Sequence, residues 1–286
     1  MPLENFMIHI FVLVDNFVET LGRLRRRGPL PFLRDSEVIT MEIVGEFFGF
    51  GSDQQIHTYF KTHWAHWFPH LGHRTNFARR CANLCPVKEA FRKSLIKKIL
   101  PFCDTFLCDG LPLPTCHKKR MRKKNPLRGQ ASFGFCAAKD QHYFGFKGHV
   151  LTSKEGLILD FEITPANTDE RLIVPELLGH RKGGLIADKG LIGQALKEEL
   201  ANRGVNLQTP LRANMKDPRP KAFVKKIMDI RRNIETVLSQ LAERFKIQNI
   251  KAKNMWRFNV KVGRKILAHT CCFMFSEGLK FHMILN

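Results

Sequence analysis

With 286 residues, 44% of them hydrophobic, the chain has material for one large domain or two ordinary ones, which excludes a disordered tail or a disulfide-stapled miniature. Lysine and arginine (47) outnumber aspartate and glutamate (26), and the formal net charge of +21 calls for a polyanionic partner, nucleic acid first and an acidic membrane surface second. Glu4 and Asp15 interrupt the opening residues where a signal peptide would run on, and no apolar run reaches spanning length, so no membrane partner and a cytoplasmic, nucleoid-associated location are expected.

Residues 1–100 read as a helical region. Phe6, Ile10, Leu13, Val14, Phe17 and Leu21 mark a helix over 4–24, closed by Arg23, Arg25, Arg26 and Arg27 and then Gly28-Pro29. Asp35 or Ser36 caps a second helix, in which Val38, Met41, Val44 and Phe48 recur at three and four, until Gly49, Gly51 and Ser52 break it. A third helix is expected over 53–68 and a fourth over 75–100. Helices joined by a short glycine turn suit a helix-turn-helix that reads DNA ends and equally a plain bundle. His57, His63, His66, His70 and His73 are interleaved with Trp64, Trp67 and Phe68, a pattern for packing and DNA contact rather than metal. Cys81 with Cys85, and Cys116 beside His117, lack the second pair of a zinc spacing, and the eight cysteines are read as reduced thiols.

Pro101 marks a change of period. Beyond it the pattern predicts strand 104–109, a basic loop, strands 143–152 and 157–164, helix 168–178, strand 184–188, helix 191–203, strand 205–211 and helix 221–245. Ser153-Lys154-Glu155-Gly156 suits a hairpin between the second and third strands, and the later strands, alternating with helices, are expected to be parallel. Leu157, Leu159, Phe161 and Ile163 alternate with Ile158, Asp160, Glu162 and Thr164, so Asp160 and Glu162 are expected to face away from the core. The fold class is therefore α/β: an RNase H-like mixed β-sheet flanked by helices over 101–275, after an all-α N-terminal region and before a tail at 276–286.

Three carboxylates stand out. The runs Thr105-Phe106-Leu107-Cys108 and Gly183-Gly184-Leu185-Ile186-Ala187 each stop at an aspartate, Asp109 before Gly110 and Asp188 before Lys189-Gly190. Open α/β sheets bring ligands to such strand ends. Glu235 lies on the last helix at the edge of a stripe made by Ile227, Ile230, Ile234, Leu238, Leu241 and Phe245. Two strand-end aspartates and one helix glutamate are what a two-metal phosphoryl-transfer site needs, with two Mg2+ or Mn2+ ions as cofactors. Arg231, one turn before Glu235, suits either a salt bridge to it or a grip on a scissile phosphate. His117 to Arg128 is too basic to pack. Lys118, Lys119, Arg120, Arg122, Lys123, Lys124 and Arg128 are expected to contact the DNA backbone, joined by Lys189, Arg231 and Arg232 beside the carboxylates. Lys147 and His149 either reach the DNA or fill the sheet face.

From about Asp35 to Phe275 the chain resembles the DDE transposases of bacterial insertion sequences. The similar stretches are Leu107-Cys108-Asp109-Gly110-Leu111-Pro112 with Cys116-His117, Phe144-Gly145-Phe146-Lys147-Gly148-His149, Thr164-Pro165-Ala166-Asn167-Thr168-Asp169-Glu170-Arg171, Ala187-Asp188-Lys189-Gly190, and Arg231-Arg232-Asn233-Ile234-Glu235-Thr236-Val237. The resemblance makes Asp109, Asp188 and Glu235 the DDE triad. It implies metal-dependent cleavage and transfer of DNA strands, with double-stranded DNA (element ends and target) as partner. The chain departs from the family at Leu191, where an aromatic residue is common, at Met228, where a tyrosine is common, and at Ala242, where a lysine is common. The rivals are a structure-specific nuclease or resolvase of the same fold, and a non-catalytic DNA-binding descendant. Two element ends require a homodimer or larger assembly on DNA. The apolar segment Trp256, Phe258, Val260, Val262, Ile266, Leu267, Cys271, Cys272 and Phe273 suits either a subunit contact or burial against the N-terminal helices.

Overall fold

The computed structural model describes residues 2–22, 31–117, 126–136, 140–211, 215 and 217–276. They fall into two compact units, one drawn from 1–99, 244–246 and 256–286, the other from 100–243 and 247–255.

The helical unit opens with α1 (Leu3–Thr20), whose Phe6, Ile10, Leu13 and Val14 are buried, followed by α2 (Asp35–Phe47) and α3 (Asp53–His63). Ser52 caps α3 by accepting from the Gln55 N–H at 3.2 Å. The single helix expected over 75–100 is two, α4 (Arg74–Asn83) and α5 (Cys85–Ile99). Pro86 has no N–H to bond back into α4, and it is accommodated in the first turn of α5. The third helix stops at His63 rather than at 68. His57 is buried there, with Nε2 against the Gly72 carbonyl at 3.1 Å, and Trp64 meets His66 and Trp67 at 5.9 and 5.3 Å between ring centroids, so these rings pack.

α2 is buried on nearly every side, from Ser36 to Glu46. Its apolar stripe is the expected one, yet Glu42 and Glu46 are also wholly enclosed. Lys88 Nζ meets Glu42 at 2.8 Å, Arg264 Nε and Lys265 Nζ meet Glu46 at 2.5 and 2.6 Å, and Arg264 Nη1 meets Asp53 at 2.7 Å. Such pairing is the condition for burying charge at all.

In the sheet unit β1 (Thr105–His117) runs well past the expected strand. Beyond it come β2 (Ser132–Cys136), β3 (Gln141–Ser153), β4 (Ile158–Pro165), α6 (Glu170–Leu178), β5 (Gly183–Ala187), α7 (Gln194–Asn202), β6 (Val205–Gln208) and α8 (Lys221–Glu243). The strand order is β2-β3-β1-β5-β6, with β4 on β3 as well. β3 is antiparallel to β1, β2 and β4, whereas β5 runs parallel to β1 and β6 parallel to β5. This is the expected mixed RNase H-like sheet flanked by helices. β2 was not expected; it is a short edge strand. The Ser153 to Gly156 hairpin forms, with Gly156 at φ +96°. A bulge in β4 at Leu159, opposite the step from Leu151 to Thr152 of β3, breaks the simple alternation of β4, so Leu157, Ile158 and Leu159 are all buried, while Glu162 is exposed as expected.

The last described element is α9 (Met255–Ser276), which from Trp256 on lies in the helical unit rather than with the sheet as the 101–275 division expected. Phe258, Val260, Val262, Ile266, Leu267 and Cys271 are buried there, and Phe275 meets Phe6 of α1 at 5.5 Å. Burial within the same chain thus accounts for these residues, whereas Trp256 is exposed and Cys272 and Phe273 are half-buried. Among the described residues no helix is long and apolar enough to cross a membrane.

Candidate active site

The sheet register places the two aspartates. Parallel β1 and β5 pair Cys108 with Ala187, so Asp109 and Asp188 follow side by side at the next position. Gly183 starts β5 at φ +134°, and a Cβ there would lie 2.1 Å from the Asp104 carbonyl oxygen; only glycine permits this approach. The Gly184 N–H donates to that oxygen at 2.7 Å, which fixes β5 beside β1. Asp188 leaves the strand extended and opens a single 3-10 turn, Lys189–Leu191, whose Leu191 is buried as an anchor.

Glu235 arrives from α8. Ile227 and Ile234 bury against Leu107 of β1 and Ile186 of β5, with Ile230 and Leu238 packed at the edge. This stripe lays the helix over the strand ends and turns Arg231 and Glu235 toward the aspartates. Asn233 Nδ2 donates to the Lys154 carbonyl at 2.7 Å and pins the helix from its other side.

Arg231 stands between all three carboxylates. Its Nη2 is 3.6 Å from Asp109 Oδ2 and 3.2 Å from Asp188 Oδ1, and its Nη1 is 3.0 Å from Glu235 Oε1. The salt bridge to Glu235, one of the two roles expected for Arg231, is therefore present, and the same guanidinium also reaches both aspartates. Burial pushes the Asp109 carboxyl up to about 6 against the opposing pull of the Gly110 N–H, which donates at 2.7 Å, and of Arg231. Among the described residues no group of three or more histidines, cysteines, aspartates or glutamates is spaced to hold a metal. The donor set nonetheless suits a hard cation, because three carboxylates from three elements already converge on one positive group.

A fourth carboxylate lies behind the strand. Glu170, at the start of α6, pairs with Lys147 Nζ at 3.2 Å, and a Cβ on Gly110 would come within 2.9 Å of its Oε1. Gly110 points to the sheet face opposite Asp109, so Glu170 reaches the backbone beside Asp109 only because residue 110 has no side chain. The sequence signal for Glu170 is its place in the Thr164 to Arg171 stretch. His149, paired with Gly110 across the strands, is buried with Nε2 2.8 Å from Thr164 Oγ1, and burial lowers it to about 4, so it is a neutral filler of that face.

Of the expected DNA contacts, Arg128 and Lys189 are exposed, and Arg232 points to solvent with Asp229 at 3.3 Å, away from the triad. Lys118, Lys119, Arg120, Arg122, Lys123 and Lys124 lie outside the described residues. Met228 is exposed, and the Ala242 position offers no cation near the site.

Residues 103–255 match the family model described as a transposase DDE domain. Among solved structures the chain is similar to piggyBac transposase in a synaptic complex with hairpin DNA, with a TM-score of 0.52 and 10% identity over 96% of this chain and 73% of that one. No curated protein matches the chain.

Proposed function

The chain belongs to the family of transposases with a DDE domain, and we propose that it is an insertion-sequence transposase that cuts and transfers DNA strands at Asp109, Asp188 and Glu235. The observation that carries this reading is the convergence of those three carboxylates, from β1, from the end of β5 and from α8, on one point occupied by Arg231. Two Mg2+ or Mn2+ ions held there would activate the attacking hydroxyl and neutralise charge on the leaving oxygen.

The chain's own groups do the rest. Asp109 and Asp188 sit at adjacent ends of hydrogen-bonded strands, which fixes two ligands rigidly. Glu235 is the half-exposed third ligand, on a helix face open to a substrate. Arg231 presents a planar fork that suits a phosphodiester, and exposed Lys189 and Arg128 add positive charge for the backbone. The basic stretch Lys118, Lys119, Arg120, Arg122, Lys123 and Lys124, which follows β1, would track phosphates without reading sequence. The helical unit is assigned to recognition of element ends, and a homodimer or larger assembly to joining two ends in concert.

Cleavage of a duplex carrying the element end tests this reading. In Mg2+ the wild-type protein should nick and join it, while Asp109→Asn, Asp188→Asn and Glu235→Gln should bind it with nearly unchanged affinity and leave it intact. Full activity in any one of these variants would remove that residue from the site, and cleavage without joining would turn the reading to a nuclease.

A further inference from the structure

Arg231 occupies the place where the triad needs cations. One guanidinium lies within 3.6 Å of three carboxylates, leaving two of their three negative charges unbalanced by it. The Arg231 side chain is only 18% exposed, and its Nε is buried with no hydrogen-bond partner. So the guanidinium is central to the cluster yet not fully satisfied by it. A divalent ion binding the same oxygens would draw them to about 2.0–2.1 Å. A fixed positive charge beside those oxygens would repel it. The two arrangements would exclude each other, so these carboxylates would hold a metal ion only with Arg231 withdrawn from them.

The side chain has somewhere to go. It springs from α8 one turn before Glu235, whose side chain is 53% exposed, and Asp188 is 38% exposed, so the open side of the cluster is the side a DNA strand would approach. A phosphodiester offers two anionic oxygens to the guanidinium edge that includes the unpartnered Nε, an acceptor pair the triad does not supply to that nitrogen. We propose that Arg231 is a placeholder cation, which holds the three carboxylates together in the free protein and transfers its fork to a DNA phosphate as metal takes its place. The inference rests on the reading of the triad as a metal centre. Its consequence is positive coupling: bound phosphate removes the competitor of the metal, and bound metal frees the fork for phosphate.

Mn2+ binding to the DNA-free protein, followed by the electron paramagnetic resonance of unbound Mn2+, measures the first half. Arg231→Gln should bind Mn2+ roughly tenfold more tightly than wild type, in the range typical of coupled sites. Arg231→Lys, which keeps a charge but cannot fork between three carboxylates, should shift the same way by less, and it decides the matter if the glutamine variant does not fold. Equal or weaker Mn2+ binding in a folded variant overturns the placeholder role while leaving the metal centre standing. Failure of Asp188→Asn to reduce Mn2+ binding by wild type would overturn the metal centre itself. The second half is read from duplex binding against monovalent salt at one fixed, saturating Ca2+ concentration, where the carboxylates hold metal and the fork is free: Arg231→Gln should flatten the logarithmic slope by about 0.9 relative to wild type, the value for one lost phosphate contact. An unchanged slope overturns the transfer to phosphate.

Discussion

In the helical unit Glu42, Glu46 and Asp53 meet Lys88, Arg264 and Lys265, whereas in the sheet unit the cation that Asp109, Asp188 and Glu235 meet among the described residues is Arg231. The residue types are the same and the balance is not. In the first cluster three carboxylates face three cations, and apart from Asp53 their side chains are at most 4% exposed. Burial alone would raise Asp53, but Arg264 beside it, together with the charges of Lys261 and Arg257, prevails and holds the carboxyl below its usual range. There each carboxylate has a cation in contact, although Arg264 Nη2, like Arg231 Nε, is buried without a hydrogen-bond partner. In the second cluster the excess is anionic, the side chains are 18–53% exposed, and burial prevails over Arg231 at Asp109. A closed, balanced cluster fastens helices, and an open, unbalanced one attracts a cation.

The contrast breaks most visibly at Arg264. Arg264→Met leaves Glu46 buried with only Lys265 and should cost about 3–5 kcal/mol, the usual penalty for stripping one partner from a buried pair. The three tryptophans, Trp64, Trp67 and Trp256, all lie in the helical unit, so their fluorescence during urea unfolding reports this loss directly. A loss below about 1 kcal/mol would mean that the cluster fastens nothing.

At the unbalanced cluster, removing a charge should have the opposite sign. Asp109 titrates at about 6 in the folded protein and near its ordinary value when unfolded. Between those values the folded state holds a proton that the unfolded state has released, so wild-type stability falls as pH rises through that window. In chelator at pH 7.5, Asp109→Asn should therefore be more stable than wild type by about 2 kcal/mol, discounted for the partial exposure of the side chain. The advantage should vanish below the unfolded value. Calorimetry at both pH values checks the sign, and a destabilised Asn variant at pH 7.5 would show that Arg231 outweighs burial.

Gly110→Ala forces Glu170 away from the backbone of β1, with an expected cost of about 1 kcal/mol. Combining it with Glu170→Ala should recover part of that cost, a coupling measurable in a double-mutant cycle. Arg232→Ala should be the smallest change of all, within about 0.5 kcal/mol, since its surface pair with Asp229 is open to water. With Mn2+ affinity unchanged as well, it separates a solvated arginine from its neighbour Arg231.

The geometry of the candidate site is legible where local rules decide it. Two apolar runs ending in aspartate became adjacent parallel strands, and the stripe from Ile227 to Leu241 placed Glu235 over them. What escaped reading depends on contacts between distant residues. β1 runs through Pro112 and Pro114, which ordinarily argue against a strand, because beyond Cys108 its β5 side is no longer paired and the missing N–H groups cost no ladder bonds there. β2 has too few residues for a pattern. The period of α2 marks its apolar face but cannot tell that α9, some 220 residues later, encloses Glu46 as well. Glu170 carries no local sign that Gly110, sixty residues earlier, leaves room for its carboxylate. The tail at 276–286 lies, but for Ser276, outside the described residues.

Iron-directed scission of the polypeptide tests the central claim most directly. Fe2+ in place of Mg2+, with ascorbate and peroxide, generates hydroxyl radicals at the metal and cuts the backbone nearest to it. Cuts beside Asp109, Asp188 and Glu235, three points far apart in the chain, suppressed by excess Mg2+ and lost in Asp188→Asn, are the expected result. Cuts confined to other stretches, or the same pattern in Asp188→Asn, would contradict a metal centre at these carboxylates.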